Sequence, residues 1–142
     1  MLQRWPLLLA ALWWGGMSAL SLVAVPLAFA HFGNPALAGP YAAKLFQLQS
    51  WSSLLVALSL LLWVRTQARQ AQSTANLPET LLPWLLLAAL AALLQEFGVA
   101  QRILSARSLG GDLRLWHGLG TCLVLLQWAC ALRVLTRLAS RH

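Results

Sequence analysis

Three ionisable side chains stand inside or beside the long apolar stretches of this chain. His31 follows one stretch, His117 begins another, and Glu96 lies within a third. Because an ionisable group among apolar side chains is costly to leave unpaired, such residues are candidates for a functional site. Two imidazoles at one level of a helical bundle can ligate a transition metal or a b-type haem. The pattern therefore raises two chemistries, a buried charge pair and a site for a metal or haem.

Glu96 is the charged residue that the sequence places deepest in an apolar stretch. Counted from Leu81 it lies about 22 Å along a helix, and an acidic side chain at the centre of a membrane helix costs about 2.5 to 3.5 kcal/mol. We therefore expect basic residues near the same rim to pair with it, and we favour this structural role over a functional one. The candidate partners in this polar rim cluster are Lys44, Arg102, Arg114 and His117.

The histidines leave two interpretations open. His31 ends the first apolar stretch and His117 begins the fourth, so an antiparallel bundle places both at one rim, where they would hold a metal or haem. The simpler interpretation is that each imidazole keeps its polar edge in water at the membrane surface. We favour the second, because a third protein ligand is not evident. Cys122 and Cys130 lie about 12 Å apart on one helix, too far to pair, and are expected to be small apolar core residues.

Four apolar stretches fill most of the chain, and each is about as long as a membrane-spanning helix. A hydrocarbon core about 30 Å thick requires about 20 helical residues. The sequence therefore predicts an all-α polytopic membrane protein, a four-helix antiparallel transmembrane bundle forming one domain over residues 1–142. The predicted helices cover roughly residues 5–30, 45–64, 77–109 and 113–137. The first run exceeds the ~7 to 15 apolar residues of a signal peptide, so we expect it to be retained.

The composition excludes a water-soluble domain. Of the 142 residues, 60% are hydrophobic and 9% are charged, whereas soluble domains carry about 25% charged residues. The net charge of +7 comes from basic residues scattered at helix ends, which indicates anchoring at the membrane surface rather than binding to nucleic acid. The expected partners are the lipid bilayer and a second copy of the chain or another membrane protein.

The basic residues also predict an orientation. Six lie at the rim that holds both termini and residues 65–80, and four lie at the other rim. This difference favours cytoplasmic termini. Arginine outnumbers lysine nine to one, which suggests a GC-rich bacterial genome and hence a bacterial inner membrane. The six are Arg4, Arg65, Arg69, Arg133, Arg137 and Arg141; the four are Lys44, Arg102, Arg107 and Arg114.

Turn and capping residues predict where the helices end. Two Gly/Asn-Pro turn signals within residues 31–44 predict an ordered rim loop or a short interfacial segment rather than a continuous helix. Asn76 is expected to cap the third helix, Gly110 to stop it, and Asp112 to cap the fourth. Pro26 lacks an N–H, so it predicts a kink near the end of the first helix.

Three helix faces carry small or polar residues at helical spacing. A small-residue face on the first helix would let a neighbouring helix approach closely, and polar faces on the second and fourth would form a weakly polar seam. Hydrogen bonding between helices explains this seam as well as a path for a small solute does. The first-helix face is Gly15, Ala19, Leu22, Pro26 and Phe29; the others are Gln47, Ser50, Leu54 and Ala57, and His117, Gly120, Thr121, Val124, Gln127 and Ala131.

A set of short motifs in a fixed order resembles one known family. The motifs are Trp14-Gly15-Gly16, Pro26-x-x-Phe29, Ala38-Gly39, Phe46 and Trp116-His117-Gly118. Together they resemble the transmembrane-protein-205-like family of four-helix membrane proteins over nearly the whole chain. The resemblance implies a four-helix bundle and no agreed molecular activity. More distantly, the architecture is similar to that of copper-resistance-D and haem-handling membrane proteins, at the level of the fold alone.

These observations favour a small integral membrane protein without catalytic activity that acts through helix packing with itself or a partner. The apolar stretches carry no catalytic triad, nucleotide loop or metal box. The alternative is a metal- or haem-binding protein with a rim site at His31 and His117, serving transport or redox chemistry. A third hypothesis is a small-solute transporter, which would have to oligomerise.

Overall fold

The protein folds into helices alone throughout the part that its computed structural model describes, residues 4–70 and 77–140. The helices are α1 (Trp5–Ala19), α2 (Val25–Phe32), α3 (Pro35–Gln70), α4 (Leu77–Leu93), α5 (Ala100–Leu109) and α6 (Leu113–Ala139). Two π-helical segments each join two of these helices without a break. The segment π1 (Leu20–Ala24) joins α1 to α2, and π2 (Leu94–Val99) joins α4 to α5. The described residues thus include four spans long and apolar enough to cross a membrane. The predicted all-α four-span bundle is confirmed.

Proline and the π-helical segment shape the first span, Trp5–Phe32. The N–H of Val25 donates to the carbonyl of Leu20, five residues back, and Pro26 follows immediately. Because Pro26 has no N–H, the regular ladder is interrupted at this point, and the wider π turn absorbs the interruption. The irregularity expected at Pro26 therefore lies in the turn before it.

The second span begins earlier than the sequence predicted. Gly33 adopts a left-handed conformation with φ of 57° and ends α2, and Asn34 then caps α3 by accepting the N–H of Ala36 at 2.9 Å. The predicted rim loop over residues 31–44 is wrong beyond this turn, because α3 continues through Pro40. The carbonyl that Pro40 leaves without a donor belongs to Ala36, which is exposed, so solvent at the helix start can satisfy it.

The turn between the third and fourth spans follows the predicted residues. Gly110 is left-handed with φ of 75°, and the carboxylate Oδ1 of Asp112 accepts the N–H of Leu115 at 3.0 Å. Gly111 must be glycine, because a Cβ there would lie 2.9 Å from the Cβ of Ala106. The stop at Gly110 and the cap at Asp112 are confirmed, while the cap predicted at Asn76 lies outside the described residues.

Each span packs against its neighbours in the chain, and the first also packs against the fourth, so the second and fourth lie diagonally across the bundle. The apolar core occupies the half of the bundle nearer the rim where Trp5 meets Trp63, with ring centroids 6.2 Å apart. At that rim the guanidinium of Arg133 lies 5.8 Å above the ring of Trp84. The other half of the interior contains the buried polar side chains, which lie among small apolar ones such as Ala91 and Ala92. The core cluster consists of Ala10, Trp13, Met17, Ala57, Leu60, Val64, Leu81, Leu85, Ala88, Cys130, Ala131, Val134 and Leu138.

Candidate functional site

Buried polar side chains from three spans share the interior of the bundle, in the half opposite the apolar core. These side chains come from α3, π2 and α6, and we call the set the polar interior. It provides one carboxylate, three amides and two hydroxyls. Its members are Gln49, Ser50, Ser53, Gln95, Glu96 and Gln127.

Glu96 is linked to Lys44 through an amide. The Nε2 of Gln47 donates to Oε1 of Glu96 at 2.7 Å, and Oε1 of the same glutamine accepts from Nζ of Lys44 at 3.2 Å. Glu96 is 5% exposed, whereas Lys44 is exposed at the rim. Gln47 therefore connects the exposed ammonium group of Lys44 to the buried carboxylate of Glu96, and it donates a hydrogen bond to that carboxylate. The sequence indicated Lys44 as a partner but did not indicate the bridging role of Gln47.

The π-helical segment π2 carries two consecutive polar residues that are both buried. Gln95 and Glu96 are both buried although they are adjacent, and the N–H of Ala100 donates to the carbonyl of Gln95, five residues back. Glu96 points to α3, while a Cβ built at Gly120 of α6 would lie 3.4 Å from Nε2 of Gln95. The Oε1 of Gln95 has no hydrogen-bond partner. A glycine on α6 thus gives the Gln95 amide room against the helix.

Gln127 is the most isolated polar residue of the interior. Its side chain is 0% exposed, and neither Oε1 nor Nε2 has a hydrogen-bond partner. It lies about 10 Å along α6 from Gly120, two helical turns toward the apolar core. A buried polar group without a partner costs about 1 to 3 kcal/mol.

The first span is joined to the interior by tryptophan and serine hydrogen bonds. The Nε1 of Trp13 donates to Oγ of Ser53 at 3.0 Å, and Oγ of Ser21 donates to Oε1 of Gln49 at 3.1 Å. Sequence reasoning missed these contacts, as it missed Gln49, Ser53 and Gln95 themselves. The available signal was the set of serines within apolar stretches, since a hydroxyl surrounded by lipid or core residues needs a partner.

A second tryptophan fixes the first span to the fourth. The Nε1 of Trp128 donates to Oγ of Ser18 at 2.8 Å, and the rings of Trp14 and Trp128 lie 5.5 Å apart between centroids. The hydroxyl of Ser18 in turn donates to the carbonyl of Trp14. Adjacent spans therefore meet through directional contacts as well as apolar packing.

The two histidines lie outside this interior. His31 is exposed and its ring meets Phe32, with centroids 5.4 Å apart. His117 is exposed near the start of α6, where its carbonyl accepts the hydroxyl of Thr121. Among the described residues, no group of three or more His, Cys, Asp and Glu side chains is arranged to hold a metal ion. A site at His31 and His117 would therefore use the two imidazoles, and it stays a prediction.

The remaining predicted rim residues face outward. The guanidinium of Arg102 lies 5.7 Å above the ring of Trp116, and Arg114 is exposed. Cys130 is buried as expected, but the prediction that Cys122 is a core residue is wrong, because its side chain is exposed. On α6 position 122 faces out of the bundle whereas position 130, eight residues on, faces in, since eight residues do not complete a whole number of turns.

The predicted seam of the second and fourth spans is part of a shared interior. Seven of its ten residues are buried, whereas Gln47 is half-buried and His117 and Thr121 are exposed. The two faces do not form a direct contact surface, because their spans lie diagonally across the bundle. The buried seven are Ser50, Leu54, Ala57, Gly120, Val124, Gln127 and Ala131.

The small-residue face of the first span points away from the bundle. All five of its predicted members are exposed, and a Cβ at Gly15 would meet nothing within 4 Å. Ala11 is exposed on the same side, so Ala11, Gly15 and Ala19 follow one another at intervals of four. This is the small-xxx-small spacing that lets two membrane helices approach closely.

Four apolar spans around a polar interior define a polytopic membrane protein of helical-bundle architecture. The chain belongs to the family described as Domain of unknown function (DUF4149), whose model matches residues 8–112. That match covers the first three spans and ends at the cap of α6. No curated protein and no solved structure matches the chain.

Proposed function

We propose that this protein is a non-catalytic membrane protein that acts by self-association, through the first-span face of Ala11, Gly15 and Ala19. The observation that carries the proposal is that these three residues line one face and are all exposed. Without side-chain bulk at Gly15, a second helix can make backbone contact there. Exposed alanine and glycine make few packing contacts with lipid chains. A second helix would therefore make more contacts with this face than the lipid chains it displaces.

A second copy is the occupant that this face fits best. Small residues spaced by four form a face that is complementary to itself, so the same patch on two chains closes a two-fold dimer. The face carries no charge that would select a different partner. An interaction with another membrane protein is the competing form of the proposal, and it predicts a monomer when the purified protein is alone in a bilayer.

Disulfide cross-linking of the purified protein in vesicles tests the self-association. In a chain whose two native cysteines are replaced by alanine, Ala19→Cys should give a cross-linked dimer on mild oxidation. Ser59→Cys is the matched control, because Ser59 is exposed on α3 and lies outside the proposed face. Equal cross-linking at both positions, or none at Ala19→Cys, would contradict the dimer.

A bulky residue at the glycine gives a second test. Gly15→Leu should weaken dimerisation about tenfold, because the two backbones can no longer approach. Gly118→Leu is the control, since Gly118 is also exposed and also has nothing within 4 Å of its Cβ position. A Gly15→Leu protein that dimerises as the wild type does would refute the face, whatever the cross-linking shows.

The alternative proposal is a metal or b-type haem held by His31 and His117. It is supported by the exposure of both imidazoles beside the ends of their spans. A haem with two axial histidines needs no third protein ligand. Purified protein should then show a haem absorption band or a bound metal by elemental analysis, and His31→Ala and His117→Ala should each remove it. An unchanged cofactor content in both variants would eliminate the pair.

We also propose a relationship to a named family and a location in the cell. The motifs around Trp14 and Trp116 support a relationship to the transmembrane-protein-205-like family. The surplus of arginine near the termini supports cytoplasmic termini in a bacterial inner membrane. The contact of Arg133 with Trp84 is consistent with an aromatic and basic anchor at the terminal rim.

A further inference from the structure

An apolar groove runs along the outside of the bundle between the third and fourth spans. It has a volume of about 360 Å³ and is lined from the third span by Leu94, Gly98 and Arg102, and from α6 by residues that include Trp116 and Cys122. Arg102 and Trp116 close its rim end. From Arg102 to Leu94 the groove extends about 12 Å along the helix. We call it the Arg102 groove.

The lining of the groove is compatible with an acyl chain. Apart from Arg102 at its rim end, the groove is lined largely by apolar side chains of the third and fourth spans. Gly98 provides this space, because a Cβ at that position would meet nothing within 4 Å.

The charge at the rim end indicates the class of lipid. The guanidinium carbon of Arg102 lies 5.7 Å from the centroid of the Trp116 ring, and a guanidinium has five N–H donors that suit an oxyanion. The segment from Arg102 to Arg114 contains three arginines and one carboxylate, Asp112. That carboxylate accepts a backbone N–H as the cap of α6. The rim thus favours a negatively charged head group.

We propose that the Arg102 groove binds one phospholipid with an anionic head group, its acyl chain lying over Gly98 and its phosphate on Arg102. Every membrane phospholipid offers an acyl chain, and moving that chain from bulk lipid into the groove brings no hydrophobic gain. The planar donors of Arg102 match phosphate oxygens in any phospholipid, so the discrimination between lipids comes from net charge. A zwitterionic head group brings a second cation beside the Arg102 guanidinium, and an anionic head group does not. This site is independent of the proposed dimer face, which lies on another span.

Native mass spectrometry of the detergent-purified protein tests the site with defined lipids. Phosphatidylglycerol and phosphatidylcholine of identical chains should be added in turn, and the wild type should retain one phosphatidylglycerol in preference. Arg102→Gln should lower the affinity for phosphatidylglycerol about tenfold and remove the preference. Arg65→Gln is the matched control, because Arg65 is also exposed but lies at the opposite rim and does not line the groove.

The acyl chain is tested separately from the head group. Gly98→Leu should fill the groove and reduce retention of both lipids, whereas Gly118→Leu, at an exposed glycine with open space outside the groove, should not. Cys122 gives a measurement on the folded protein. In a Cys130→Ala background, phosphatidylglycerol should slow its reaction with a membrane-soluble maleimide, and Arg102→Gln should abolish that protection.

Three results would overturn the proposal. Equal retention of both lipids by the wild type would remove the head-group selectivity. An Arg102→Gln protein that keeps the preference would show that another basic residue holds the phosphate. If Gly98→Leu changes the oligomeric state and leaves lipid retention intact, the groove is a contact between chains.

Discussion

Replacing Gln127 by methionine is expected to raise the free energy of unfolding by about 1 to 3 kcal/mol. The amide is 0% exposed and neither of its polar atoms has a partner. In the unfolded state both atoms can bond to water or to other parts of the chain, so folding costs the free energy of those hydrogen bonds. Methionine has nearly the same shape and length, and a volume-conserving change in a core costs less than about 1.5 kcal/mol. Removing the unsatisfied amide should therefore outweigh any loss of packing.

The matched control is Gln49→Met, the same change at another buried glutamine. Gln49 is 2% exposed and accepts the hydroxyl of Ser21 at 3.1 Å. Methionine there removes the acceptor, so we expect a loss of about 0.5 to 1.5 kcal/mol. The two variants share the residue exchanged and the degree of burial, and they differ in whether the amide has a partner.

Equilibrium unfolding in mixed detergent micelles, followed by tryptophan fluorescence, measures both variants. Opposite signs for Gln127→Met and Gln49→Met are the expected result. If Gln127→Met destabilises as much as Gln49→Met does, the amide of Gln127 has a partner in the bilayer, such as a buried water with hydrogen bonds to both its atoms. That outcome would refute the reasoning from an isolated amide.

Two further predictions concern the buried carboxylate and the orientation. Glu96→Gln should change stability by less than about 1 kcal/mol, because an acceptor for Gln47 remains. Glu96→Leu removes the acceptor and should cost about 1 to 3 kcal/mol in the same unfolding assay. Equal losses in the two variants would contradict the role of Glu96 as an acceptor. Ser73→Cys and Ser108→Cys, each in a chain without native cysteines, should label from opposite sides of the membrane. Position 73 should label from the cytoplasmic side. Periplasmic labelling at position 73 would reverse the proposed orientation.

The number and approximate position of the spans could be predicted because they depend on local properties. A run of about 20 apolar residues predicts a span irrespective of its neighbours, and Gly110 and Asp112 end and begin helices through their own backbone and side-chain chemistry. The rim loop was predicted wrongly because the effect of a proline depends on where it lies in a helix. Pro40 predicts a break, but it leaves one exposed carbonyl near the start of α3 without its helical hydrogen bond, and α3 continues.

The contacts of the interior could not be predicted, because they depend on how the spans are placed relative to one another. The sequence shows that Gln49 and Gln127 lie on helices, yet only the assembled bundle gives the first a partner in Ser21 and leaves the second without one. The burial of two adjacent polar residues is a second example. By the ordinary helical period Gln95 and Glu96 point about 100° apart, yet both are buried in the assembled bundle.

The asymmetry of the interior explains how four similar apolar helices adopt one arrangement. Leucine and alanine faces pack almost equally well in several registers, and lipid chains are as apolar as the helices themselves, so apolar contact selects a register weakly. Hydrogen bonds are directional, so those from Trp13 to Ser53 and from Trp128 to Ser18 favour the register in which they form. Hydrogen bonds between spans therefore help to specify the assembly that apolar packing stabilises. Gln127, which makes no such bond, is then the position where apolar substitution should improve stability without disturbing the arrangement of the spans.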